Sequence, residues 1–386
     1  MEHFIPLSIP NLGGNEEKYV TEAVRSQWVS TAGGSIVDFE RNFANYIGTQ
    51  DACACQSGSA GLHLCLRHFG ICQEDIVLVP TLTFIATINA VMYQSATPVF
   101  FDCDDHLCID VKQVQEYVDT YCTFTDGVLR EKKSGKTVKA IIPVHVFGDL
   151  CDMDAIMDLA EKYGLTVIED ATEALGSIVE HGRYAGKMAG TIGHAGVFSF
   201  NGNKIITTGG GGMVVARDED ALRHIRYLSQ QAKDDVVYFV HEEYGYNYRM
   251  TNLQAALGLA QLEQLDQFIE IKRKNYNLYQ KLLEKNALGK ILEFHTESSN
   301  KWFYSFCLHT PSAEKRDALL QYLNKNQVQV RPIWKLNHLQ TPFKKYFAMP
   351  TPKAEMYYDS ILNLPCSTNL PEEDVRRVCE LIDQFA

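Results

Sequence analysis

Between residues 50 and 216 apolar residues gather in short unbroken runs, and between those runs they recur every three or four positions. The runs lie in DACACQSG, DIVLVP, TPVFFDC, VKAIIPVHVFG and LTVIED, then in GHAGVFSF and GGGGMVVA. Near-continuous Val, Ile and Leu over four to six residues predicts strands buried on both faces. The segments SAGLHLCLRHFG, FIATINAVMYQSA and MDAIMDLAEKYG have the helical spacing of elements that cover such strands, the last with Gly164 as its stop. Strand and helix in alternation predict an α/β fold with a mostly parallel central sheet and helices on both faces.

The flanks read differently. An N-terminal arm leads into two amphipathic helices, GGNEEKYVTEAVRSQ and IVDFERNFANYIG. Residues 119–140 are polar and turn-rich, which predicts a surface hairpin. From about residue 216 helical patterns dominate, RDEDALRHIRYLSQ and then a long stretch from QAALGLAQL to KLLEKNA. WFYSFCLHT and DALLQYLNKNQVQVRPI predict a smaller α+β unit after it. We expect a large domain over 1–260, arm included, and a small C-terminal domain over 261–386, the boundary falling in a bridging helix. No internal repeat is visible.

Bulk properties narrow the function classes. At 386 residues, 46% hydrophobic and 22% charged, the chain has the composition of an ordinary globular protein with room for two unequal domains. Thirty-six basic against 48 acidic residues give a net charge of −12, which repels a polyanion, so no nucleic-acid partner is expected. No leader pattern opens the chain, and no apolar run approaches the roughly 18 residues of a membrane span, so a soluble, cytoplasmic protein without a membrane partner is expected. The eleven cysteines are odd in number and sit mostly in apolar periodic context, which reads as buried thiols. Cys53 and Cys55 alternate along a strand, but no Cys-x-x-Cys accompanies them and no metal is expected.

Three stretches carry candidate chemistry. In QSGSAGLHLCL a strand ends, Ser57-Gly58-Ser59 turns, and a helix opens at Ala60; free amides and two hydroxyls at a helix N-terminus suit a phosphate dianion, although serine is also the favoured cap of any helix. In IEDATEALGS, Asp170 ends the strand LTVI, where a carboxylate can hold a ligand's ring nitrogen cationic or simply cap the next turn. In FSFNGNKIITTGGGG, Lys204 stands on a turn between a strand and a glycine run; a partly desolvated lysine becomes a nucleophilic amine, while most lysines merely face solvent.

In this order along one sheet, a phosphate turn, a carboxylate and a lysine form the arrangement of fold-type I pyridoxal phosphate enzymes. The chain resembles the DegT/StrS-type aminotransferases, which act on nucleotide-linked keto sugars. The likeness runs from PLSIPNLGGNE and WVSTAGGSIVDFE, through PTLTFIATINAV, PVHVFGD, IEDATEALGS and FSFNGNK, to YGYNYRMTNLQAALGLAQL and RPIWKLNHLQTPF. The resemblance implies pyridoxal 5′-phosphate as cofactor, Lys204 as its Schiff-base lysine and proton carrier, and Asp170 as the partner of its pyridine nitrogen. It also implies that Phe84 stacks on the cofactor ring and that Gly58, Ser59 and Ser199 hold the phosphate. Asn247 matches a residue that reaches the neighbouring subunit's phosphate, which implies a homodimer with shared sites. Glu173 departs from the pattern: its position is often Gln or His in the family, where it packs on the cofactor near O3′.

By the same likeness Thr31, Gly33, His338 and Trp334 line the sugar pocket, although a tryptophan is as readily a core residue; an acidic chain must bind the diphosphate through a few local cations, for which Arg331 and Lys335 are the candidates. Arg249 is either a substrate ligand or a cap or ion-pair residue, and His145 is undecided. Lysine rather than histidine at 204 favours transamination over dehydration. The implied reaction moves an amino group from L-glutamate to a UDP-linked 4-keto-6-deoxy-N-acetylhexosamine, in cell-surface glycan biosynthesis. A GDP-perosamine synthase-like activity and a 3-keto-sugar or cyclitol aminotransferase are the neighbouring alternatives. Two readings from other classes fare worse. A non-catalytic, cofactor-binding scaffold needs none of these side chains, and a nicotinamide enzyme would carry the absent G-x-G-x-x-G turn.

Overall fold

The computed structural model describes residues 3–385. Strands β1 (Cys53–Cys55), β2 (Asp75–Pro80), β3 (Thr97–Phe101), β4 (Cys122–Thr125), β5 (Val128–Glu131), β6 (Thr137–Ile141), β7 (Thr166–Asp170), β8 (Ala195–Ser199) and β9 (Gly212–Ala216) form one sheet. Its order is β1-β9-β8-β7-β6-β2-β3. From β8 to β3 every pairing is parallel, and β9 runs antiparallel to both β8 and β1. The expectation of a mostly parallel sheet holds. The departure at β9 has a short cause: only the loop 200–211 separates β8 from β9, too few residues for a covering helix, so the chain must turn straight back.

The apolar runs are strands for the reason their pattern suggests. Every residue of β2 is buried, and β7, β8 and β9 are buried but for one terminal residue each, because helices pack on both faces. Residues 119–140 contain the hairpin β4–β5, which pairs with β6 in register at Arg130 and Thr137. The long helical stretch after 250 is two helices, Asn252–Leu262 and Leu265–Leu283. Its break is fixed by buried Glu16, whose Oε1 accepts from the side-chain amides of both Gln261 and Gln264.

A second sheet takes strands β10 (Gly289–Ile291), β11 (Tyr304–Leu308), β12 (Arg331–Pro332) and β13 (Ile361–Leu364) in the order β10-β11-β13-β12, all antiparallel. The N-terminal arm ties the two parts together. Ile5 is fully buried and exchanges backbone hydrogen bonds with Gln327 and Gln329, and the Ser8 hydroxyl donates to the carbonyl of Asn203, beside Lys204. All eleven cysteines are free thiols, and all but Cys72 and Cys307 are buried. No helix among the described residues is long and apolar enough to cross a membrane.

Candidate active site

The carboxyl ends of β6, β7 and β8 and the turn after β1 open toward one cavity of about 730 Å³, closed on its other side by residues of β12 and the loops around it. Open α/β sheets bind ligands at this edge. At β1 the chain passes from Cys55 into the helix Gly58–His68. Ser57, in extended backbone, is the N-cap: its hydroxyl accepts from the Ala60 amide at 3.1 Å. The helix therefore begins two residues earlier than the sequence suggested. The amides of Gly58 and Ser59 precede the first full turn and have no carbonyl behind them, so they are left for an anion. Gly58 lies so close that an added Cβ would sit 2.8 Å from Thr172 Cγ2 and 3.1 Å from Ser199 Cβ; the phosphate candidates are thus neighbours.

Asp170 ends β7, 3% exposed. The Thr87 hydroxyl donates to its Oδ2 at 2.7 Å and the Thr172 amide to its Oδ1 at 3.2 Å, and no cation among the described residues pairs with it at ion-pair distance. Both donors fix the orientation of the carboxyl group, and a cationic ring nitrogen would complete the site. Lys204 is largely buried on the loop that follows β8. That loop closes on itself through Lys204 N–H to Asn201 O and Thr208 N–H to Phe200 O. The Nζ atom lies 3.5 Å from Glu173 Oε1 and 3.9 Å from the centre of the Trp302 ring. Burial pushes the Lys204 amine below its ordinary pKa, against the pull of Glu173 and Asp170. Burial likewise lifts the Glu173 carboxyl to about 7, against the pull of Lys204 and the Phe147 amide.

Phe84 stands at the cavity with half its surface exposed, its ring 6.3 Å from that of Trp334. Gly58, Ser59, Phe84, Asp170, Glu173, Ser199 and Lys204 all line the cavity, and Arg331, Trp334 and Lys335 line it with them. Other candidates lie elsewhere in this chain. Thr31 and Asn247 are exposed away from it, and Gly33, at φ 150°, is packed against the Asn252 side chain. His338 shares a 2.7 Å hydrogen bond with the Thr81 hydroxyl, while Asn337 donates to the carbonyls of Thr81 and Thr83, so this pair fixes the segment that carries Phe84. Arg249 takes the ion-pair alternative: it is buried, and its guanidinium donates to Glu40 Oε1 at 2.7 Å. His145 is fully buried against Glu169 at 2.9 Å and does not line the cavity.

The sequence did not single out Thr87, Asn203, Phe147 or Trp302. Thr87 had a faint signal, a hydroxyl three residues after Phe84 in LTFIAT. Trp302 lies 98 positions beyond the lysine it covers, and nothing local announces it.

The residues fit pyridoxal phosphate. A largely buried amine, a buried carboxylate without a cation, free first-turn amides and a half-exposed aromatic ring meet in one cavity. Asn203 Oδ1, beside Lys204, is buried with no hydrogen-bond partner, a vacancy that a donor on a ligand would fill. These are the groups its phosphate, ring nitrogen and aldehyde need.

Comparison with known proteins covers nearly the whole chain. Residues 10–383 match the model of the DegT/DnrJ/EryC1/StrS aminotransferase family. A GDP-perosamine synthase from Caulobacter vibrioides is 37% identical over 384 residues, covering 98% of each chain. The putative pyridoxal phosphate-dependent aminotransferase EpsN of Bacillus subtilis is 36% identical, covering 99% of this chain and 96% of its own. Among solved structures, the PLP form of the putative sugar aminotransferase Spr1654 from Streptococcus pneumoniae superposes with a TM-score of 0.89 at 25% identity, covering 99% of this chain and 98% of that one.

Proposed function

The chain belongs to the DegT/DnrJ/EryC1/StrS aminotransferase family, a family of pyridoxal phosphate-dependent sugar aminotransferases, and from that premise we propose that it aminates a keto sugar carried on a nucleoside diphosphate, with L-glutamate as donor. One observation carries the proposal: Lys204, Asp170 and the Gly58–Ser59 helix start, far apart in sequence, line one cavity large enough for a cofactor and a sugar together.

Bound there, pyridoxal phosphate supplies the electron sink that makes the transferred hydrogen acidic. The rest falls to the chain. The Gly58 and Ser59 amides and the Ser199 hydroxyl bind the phosphate. Asp170, oriented by Thr87 and Thr172, would face the ring nitrogen. Phe84 would stack on the cofactor ring, and the Thr81 and Thr83 contacts of Asn337 and His338 hold the segment that carries it. Lys204 Nζ would hold the cofactor at rest and, as a free amine, would be the group that accepts and gives back the proton at the donor carbon and then at the sugar carbon. The Trp302 ring packs against Lys204 Nζ, and Phe147 lines the same cavity. Arg331 and Lys335, exposed at the cavity mouth, supply the cations an acidic chain needs to bind a diphosphate. Residues 1–260 then act as the cofactor-binding unit, in the cytoplasm, and 261–386 supply the second wall.

For the acceptor we favour a UDP-linked 4-keto-6-deoxy-N-acetylhexosamine, on the likeness of PTLTFIAT and NGNKIITTGGGGMVV to enzymes of that kind. A GDP-linked sugar is the second reading, supported by the GDP-perosamine synthase relatives. Incubation with L-glutamate and each 4-keto sugar nucleotide in turn, with the products followed by mass spectrometry, separates them. The favoured reading requires the keto-to-amino mass change with the UDP-linked sugar. That change with the GDP-linked sugar alone would establish the second, and neither product would remove both.

A further inference from the structure

Glu173 is a second buried carboxyl in the site, and its surroundings give it a use. Its side chain is buried at the bottom of the cavity, one oxygen taking the Phe147 amide at 2.9 Å and the other facing Lys204 Nζ at 3.5 Å. Phe147 is set to make that contact. It adopts φ 55°, ψ 17°, a left-handed conformation uncommon outside glycine. Its ring is wedged among those of Trp302, Phe303 and Trp334, and Gly148 N–H closes the turn onto His145 O. The charged groups that face Glu173 are Lys204 from the loop after β8 and Asp170 from the end of β7; Phe147, from the turn between β6 and β7, contributes only its amide.

Glutamine in this place accepts the Phe147 amide equally well but never carries a proton. A carboxyl can. Burial brings the affinities of Glu173 and Lys204 for a proton toward each other, raising one and lowering the other, so passing a proton between them costs little.

We propose that Glu173 is the proton-holding partner of Lys204: when Nζ must be a free base, its extra proton passes to Glu173 Oε1, and it returns when Nζ must donate. Ammonium and carboxylate become amine and carboxylic acid, and nothing else moves. Lys204 touches the reacting atoms; Glu173 acts through it, as a positioning residue. The inference rests on Lys204 being the cofactor-bearing lysine.

The test is a spectral titration of the pyridoxal phosphate-loaded enzyme. Wild type, Glu173→Gln and Lys204→Ala are loaded, and the visible absorption band is followed from acid to alkaline pH. Wild type should titrate in two steps. Glu173→Gln should titrate in one, its midpoint lowered by on the order of one pH unit, because an anion that favoured the protonated nitrogen has been removed. Superimposable curves for these two proteins overturn the proposal. A wild-type band retained in Lys204→Ala overturns the assignment of Lys204 instead, and the proposal with it. Should Glu173→Gln load poorly, the unloaded proteins give a second readout: reductive methylation of Lys204 by formaldehyde and cyanoborohydride, counted by mass spectrometry across pH. Its midpoint should fall in the glutamine variant, and an unchanged midpoint overturns the proposal.

Discussion

Lys204, Asp170 and Glu173 divide the site's electrostatics between one cation and two carboxyls, and each makes a separate prediction. Lys204→Ala should lower turnover by on the order of 10²–10⁴-fold while cofactor still binds noncovalently, as measured by steady-state rates beside a cofactor titration. Thr87→Val removes a hydrogen bond to the Asp170 carboxylate and should weaken cofactor binding by about 1.5–3 kcal/mol without unfolding the protein. Glu173 leaves a mark on stability. Burial lifts its carboxyl to about 7 in the folded, cofactor-free protein, from the ordinary 4.5 that it regains when unfolded. Between those values the folded state binds more protons, so the contribution of Glu173 to stability is fully present at the acid end and falls as pH rises through the window. Thermal denaturation should show wild type losing ground to Glu173→Gln from about pH 4.5 to 7; a constant difference would contradict the burial of the carboxyl. At this scale Lys204 and Asp170 were legible because a strand end and a glycine run framed them. Thr87 and Trp302 were not, since their roles exist only through contacts with residues 83 and 98 positions away.

The elements were legible where burial is two-sided. DIVLVP and TVIED can be little else than covered strands, and they are. The antiparallel return at β9 was not legible from apolar pattern alone, because GMVVA reads the same in either direction; only the short loop before it decides. The small sheet was seen as no more than an α+β unit, since β10 and β12 have three and two residues and no pattern to show. Arg249 belongs to this scale. With Arg226 it holds Glu40, which also accepts the Ala54 amide, and so anchors the helix Gly34–Ile47 to β1 just before the phosphate turn. Arg249→Met should lower the melting temperature, at a cost below the roughly 3–5 kcal/mol of a fully broken buried pair because Arg226 remains. The variant's KM for the sugar nucleotide should be unchanged where the fold survives, and a selective rise in KM would return Arg249 to the substrate site.

For the whole molecule, a single chain leaves part of the expected site outside its own cavity. Asn247 and Thr31 are exposed, as is the apolar strap Val236, Val237, Tyr238 and Phe239 nearby in sequence, so a second copy is the partner we propose for this face. Asn247→Ala should then weaken cofactor retention, and mixing it with Lys204→Ala should restore activity in hybrid dimers, read as turnover rising above that of either parent. One absorbance spectrum of the purified, cofactor-loaded protein before and after L-glutamate decides whether the chain is an aminotransferase. A visible band should give way to one at shorter wavelength, the first half of an amino transfer completed. No visible band after incubation with pyridoxal phosphate, or a band that glutamate and every other amino donor leave in place, would contradict that activity.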